Sequence, residues 1–162
     1  MDLPNIFIGV LVYIRKEGRY LMLHRIKKNN DMHEGFWVAP GGKRMLNESI
    51  TDCAKREVLE ETGLTVHSMR HLGFLHFPDD GQSPFKGEWI DFVFLCEDFS
   101  GEIINDCAEG SLSWIDENVL MTLPMWQGDL VFTPFVISGK RFTAQFIYHG
   151  KELYHSSIAE MP

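Results

Sequence analysis

The chain has 162 residues, 44% of them hydrophobic and 23% charged, the balance of a globular domain with enough apolar side chain for one sizeable core. Lys and Arg number 15 against 23 Asp and Glu, a formal charge of −8. That balance argues against binding a nucleic-acid polymer, but not against a small phosphorylated substrate whose charge a bound cation offsets. The longest apolar run, residues 6–14, is too short to span a membrane, and the start MDLPNIF lacks a basic leader. Cys53, Cys96 and Cys107 share no metal-ligand spacing, so a single cytoplasmic, reduced domain over residues 1–162 is expected, monomeric or homodimeric.

In chain order, residues 6–14 and 20–24 read as two antiparallel strands joined at Lys16-Glu17-Gly18-Arg19. Arg25 follows at the strand end, where a guanidinium can meet phosphates; Lys27 and Lys28 fit a solvated strand end equally well. After a polar loop over 29–35, Phe36-Trp37-Val38-Ala39 leads into Pro40-Gly41-Gly42, where paired glycines let a ligand approach backbone closely. A helix is expected from a cap at Ser49 to a left-handed stop at Gly63, with Asn47 just before it suited to a left-handed backbone. Residues 65–77 and 89–96 are strand candidates around a turn at 78–82 and a loop to about Gly87. Residues 101–110 read mostly as loop, 115–123 as a short helix started near Asp116, and 130–138 as a second helix carrying Pro134. Residues 141–148 and 153–158 close the chain as a hairpin. Strands with few helices, without regular βαβ alternation, predict an α/β domain with a mixed sheet covered by helices.

The helix after the glycines carries its acids on an unusual side. At about 100° per residue, Ile50, Cys53 and Ala54 mark the inward face, yet Glu57 and Glu61 project from it and Glu60 stands at its edge. Like charges buried together are costly unless a cation joins them. Hard carboxylate oxygens favour Mg²⁺ or Mn²⁺.

The spacing is that of a known motif. Gly42 is followed after five residues by Glu48, and after seven more by Arg56-Glu57-Val58-Leu59-Glu60-Glu61-Thr62-Gly63-Leu64. This resembles the Nudix box at every specified position, with Asn47 where a glycine usually precedes Glu48. The resemblance implies a three-layer α/β/α sandwich around a mixed sheet and hydrolysis of nucleoside diphosphate derivatives with Mg²⁺ or Mn²⁺. It implies that Glu57, Glu60 and Glu61 hold metal with the carbonyl of Gly41, that Arg56 orients a glutamate, and that Glu48 is a supporting acid. Glu109, five residues before Trp114, resembles a downstream metal-ligand position of MutT-like members, and either Glu60 or Glu109 can serve as general base.

Substrate selection lies outside the box. Leu21-Met22-Leu23-His24-Arg25 resembles a phosphate-contacting strand end, and Pro124 to Asp129 resembles the base-recognition segment of enzymes that cleave oxidised purine nucleoside triphosphates. By that resemblance Trp126 packs on the purine and Asp129 reads its edge. Gly128 replaces a second acid of the mammalian enzymes, and Val38 stands where they have asparagine. The layout is closest to bacterial 8-oxo-dGTP diphosphatases. A nucleotide sugar, a dinucleoside polyphosphate, or a non-catalytic nucleotide sensor remain alternatives; the last would be expected to have lost box acids that this chain keeps.

Overall fold

A computed structural model describes residues 3–104 and 107–162. Strand β1 (Ile6–Lys16) turns through Glu17 and Gly18, both at positive φ, into β2 (Arg19–His24). Short strands β3 (Trp37–Val38) and β4 (Gly41–Lys43) precede helix α1 (Ile50–Thr62). The long strands β5 (Thr65–Phe77) and β6 (Glu88–Ser100) follow, then β7 (Ser111–Asp116), α2 (Glu117–Leu120) and α3 (Gln127–Ser138). Strands β8 (Arg141–His149) and β9 (Glu152–Met161) end the chain.

The sheet runs β3-β2-β1-β6-β5-β8-β9, with β4 added to β1 and β7 to β2. It is mixed: β1 pairs β6 in parallel from Ile6↔Glu88 to Ile14↔Cys96, and β5 pairs β8 in parallel, whereas β5–β6 and β8–β9 are antiparallel. Alternation along β1 sends Val10, Val12 and Ile14 to one face, where they pack with Cys53, Ala54 and Val58 of α1. Tyr13 faces the other way and packs with Phe132 and Val136 of α3 and with Leu120 of α2. Helices on both faces complete the three layers.

The ends of α1 follow the expected chemistry. Ser49 Oγ accepts the Asp52 N–H at 3.0 Å, Gly63 closes the helix at φ 81°, and Asn47 sits at φ 63°. Two helix assignments need correction. Residues 115–123 are not one helix: Ser111–Asp116 is a strand paired with β2 along its length, and only Glu117–Leu120 is helical, capped by Asp116 accepting from Asn118 N–H at 2.8 Å. The small–apolar alternation of Ser111-Leu112-Ser113 satisfies an edge of β2, which needs backbone partners, and that demand outweighs the local helical pattern. Helix α3 begins at Gln127, not at residue 130, and runs through Pro134.

Helix α3 carries Trp126 at its cap and Asp129 in its first turn, and Phe132 anchors it. That ring is fully buried, stacked on Phe142 at 5.7 Å and edge-on to Tyr13 at 6.1 Å. Phe132→Ala is expected to cost about 3–5 kcal/mol through the cavity it leaves, measured by denaturant unfolding.

Candidate active site

The Arg56 guanidinium ties the acidic residues together. Its Nε donates to Glu48 Oε2 at 2.6 Å and its Nη2 to Glu48 Oε1 at 3.0 Å, a two-pronged grip. Its Nη1 donates to Glu57 at 2.8 Å and to Glu60 at 3.2 Å. With the Met45 N–H also donating to it, Glu48 is held far below the usual carboxylate range, at about 2, the Arg56 bonds being the larger cause. Glu48 is thus an anchored anion that fixes Arg56, and Arg56 in turn aims Glu57.

Among the described residues no arginine binds Glu61, and its one donor is the Gly41 N–H at 3.4 Å. Burial, then repulsion from Glu109 and Glu57, pushes its carboxyl up to about 8. Burial raises Glu57 as well. Gly42 makes this crowding possible, because a Cβ there would overlap the Glu57 carboxylate. Glu60, on the rim of α1, is the more exposed acid and leans on Arg56.

Glu109 reaches the same region from the loop before β7. Arg25 binds it through Nη1 at 2.7 Å and binds Asp31 through Nε at 2.7 Å; burial raises Asp31, but the Arg25 bond and the His33 N–H lower it, with a net fall. Among the described residues, no three Asp, Glu, His or Cys side chains yet converge as a closed metal cage. Arg56 draws Glu57 and Glu60 to itself and Arg25 draws Glu109. The donor set still fits a hard divalent cation: oxygen ligands, a buried carboxylate forced towards its neutral form, and like charges with a shared deficit of cation.

Of these acids Glu61 lines a cleft of about 580 Å³, together with Arg25, Gly41 and Gly42. Val38, Trp126 and Asp129 line the same cleft, so Arg25 and all three candidate base-contacting residues share one cavity with the box. Trp126 is 5% exposed, with Phe36 and Tyr148 edge-on to it at 5.1 Å and Phe85 tilted against it at 5.4 Å. Its indole N–H donates to His33 Nδ1 at 2.7 Å. Burial first, and then the Arg25 charge, push His33 down to about 4, which keeps that nitrogen a neutral acceptor.

His33 and Asp91 are polar cleft residues that the sequence reading did not assign to the site, His33 standing in the polar loop that leads to the glycines. Asp91 of β6 also lines the cleft, and its signal was a lone acid in an otherwise apolar strand run, Trp89-Ile90-Asp91-Phe92-Val93.

Geometry and sequence now meet. A model of the NUDIX domain matches residues 6–135, and the chain belongs to the Nudix hydrolase family. It is 34% identical over 141 residues to the uncharacterized Nudix hydrolase YvcI of Bacillus subtilis, covering 87% of this chain and 82% of that protein. It is 30% identical over 144 residues to the oxidized purine nucleoside triphosphate hydrolase of Danio rerio, covering 88% and 87%. Among solved structures, the mutator MutT protein of Bacillus halodurans matches with a TM-score of 0.83 at 29% identity, over 94% of this chain and 97% of that one. The protein is therefore an enzyme of nucleotide hydrolysis, in a family that generally uses divalent metal ions. No helix among the described residues is long and apolar enough to cross a membrane.

If Arg56 acts by aiming the acids, Arg56→Lys keeps the charge but loses the two-pronged grip on Glu48. Its metal affinity or kcat/KM is expected to fall about 10–100-fold while the far-ultraviolet circular dichroism stays that of the parent. Metal titration and steady-state rates check this together.

Proposed function

We propose that the protein hydrolyses a (deoxy)nucleoside triphosphate carrying an oxidised purine, 8-oxo-dGTP being the favoured substrate, to the monophosphate and pyrophosphate with Mg²⁺ or Mn²⁺. The observation that carries this reading is one cleft lined both by Glu61 with the glycine pair Gly41 and Gly42 and by Trp126 with Asp129. One cavity then holds triphosphate and base at once. The relationship to the Danio rerio enzyme, whose name specifies oxidised purine nucleoside triphosphates, supports the substrate class.

In this reading Glu57, Glu60, Glu61 and Glu109, with the carbonyl of Gly41, hold the metal. When bound, it offsets charge on the phosphates and acidifies water. Arg56 orients Glu57 and Glu60, and Glu48 fixes Arg56. Glu60 or Glu109 takes the proton from the attacking water. Arg25, at the strand end beside Glu109, faces the phosphates, and its ion pairs keep it extended into the cleft. Val38 contributes an apolar wall. Trp126 offers a rigid aromatic surface steadied by His33, and Asp129 accepts from the base edge.

A panel of 8-oxo-dGTP, dGTP, dTTP, ADP-ribose and a dinucleoside polyphosphate, read by product identity with Mg²⁺ present, tests the proposal. The expected result is fastest turnover of 8-oxo-dGTP to monophosphate and pyrophosphate, and its loss in Glu61→Gln. Equal turnover of dGTP or ADP-ribose would refute the sanitising role, and an active Glu61→Gln protein would refute the metal assignment.

A further inference from the structure

Arg25 lies just past the end of β2 and Trp126 at the cap of α3, and both line the cleft. The loop after β2 joins them through one side chain. Asp31 Oδ2 accepts from Arg25 Nε at 2.7 Å, and its Oδ1 accepts from the His33 backbone N–H at 3.2 Å. The His33 ring in turn accepts the Trp126 indole N–H at 2.7 Å, and Arg25 Nη1 reaches Glu109 at 2.7 Å. Glu109, Arg25, Asp31, His33 and Trp126 thus form one unbroken chain of contacts.

We propose that Asp31 is a positioning residue for both parts of the substrate: its carboxylate sets Arg25 against the phosphates and, through His33, sets Trp126 against the base, so that one side chain fixes the spacing of the two contacts. This rests on the reading above, in which Arg25 faces the phosphates and Trp126 the base.

Three observations support the assignment. Asp31 is not among the residues that line the cleft, whereas Arg25, His33 and Trp126 are, so it acts through them and not on the substrate. The Asp31 side chain is 6% exposed and that of Arg25 14%, which shields their pair from the water and salt that weaken surface ion pairs. The loop backbone, moreover, closes without the Asp31 carboxylate. The Arg25 N–H donates to the Phe36 carbonyl at 3.0 Å, the Gly35 N–H to the Arg25 carbonyl at 2.8 Å, and the Phe36 N–H to the His33 carbonyl at 2.9 Å.

A carboxylate that only shaped this turn would need the His33 N–H alone. Here the second oxygen is taken by Arg25 Nε, which fixes the guanidinium along one edge and leaves its Nη groups for Glu109 and for phosphate. When a cation draws Glu109 away, Arg25 keeps its tie to Asp31, and Nη1 meets a phosphate oxygen without the side chain having to be ordered again.

Two readouts test this. The first uses metal-free protein carrying ¹⁵N in its four tryptophans, with Trp126→Phe to identify the Trp126 indole signal. In Asp31→Asn the exchange of that indole N–H with water is expected to rise about tenfold, with the other indole signals unmoved. The second is the Kd of inorganic tripolyphosphate for the Mn²⁺-loaded protein. It is expected to rise about tenfold in Asp31→Asn and to stay at the parent value in His33→Leu, which breaks only the arm to Trp126. Asp31→Glu serves as a second variant, because it keeps the charge opposite Arg25 but is a methylene too long to hold both partners. It is expected to preserve tripolyphosphate binding and lose the Trp126 protection. A change in only one readout in Asp31→Asn, or in neither, would overturn the inference alone. A parent that does not bind tripolyphosphate would refute the phosphate role of Arg25 and this inference with it. Unfolding of both Asp31 variants would make Asp31 a residue of stability and would also overturn it.

Discussion

Everything at the active end of this molecule depends on carboxylates placed where a helix normally puts apolar side chains. Helix α1 packs on the sheet through Cys53, Ala54 and Val58, and the same face carries Glu57 and Glu61. Arg56 offsets part of the repulsion by gripping Glu48, Glu57 and Glu60, and Arg25 does the same for Glu109 from across the cleft. Glu61 is left over, buried and forced towards its neutral form. That residue measures how far the protein has built for a cation it does not itself supply. Gly42, whose missing side chain admits the Glu57 carboxylate, ties the glycine pair to the same purpose.

The sheet turns this local chemistry into a pocket. Parallel pairing of β1 with β6 brings Gly9 and Asp91 side by side, and antiparallel pairing of β1 with β4 places Gly41 and Gly42 on the other edge of β1. Packing of α3 through Phe132 brings Trp126 and Asp129 over that platform. The glycine pair and Asp91, all lining the cleft, are therefore set by one strand, and a shift in its register would misplace both.

Much of this was legible in the sequence because it is local. The cap at Ser49, the left-handed Asn47 and Gly63, the hairpin after β1, and the inward acids of α1 follow from spacing alone. The family follows from the same spacing. Contributions that depend on pairing between distant segments were not legible. Strand β7 was missed, its residues 111–114 unassigned and 115–116 given to a helix, because its demand for hydrogen bonds comes from β2, far earlier in the chain. Asp31 looked like loop polarity until Arg25 was seen between it and Glu109. Asp91 was passed over inside an apolar strand, and Gly128 looked like a lost acid when it is the space that Tyr148 occupies.

The central claim is that the crowded acids are poised for a divalent cation. Titrating the protein with Mn²⁺ in a calorimeter, near pH 7 and in two buffers of different ionisation enthalpy, tests it most directly. Because Glu61 carries a proton in much of the metal-free population, binding is expected to release a proton fraction that shrinks as the pH is raised past about 8. Saturable binding with that proton release, lost in Glu61→Gln, is the predicted result. Binding with no proton release, or binding unchanged in Glu61→Gln, would contradict the account.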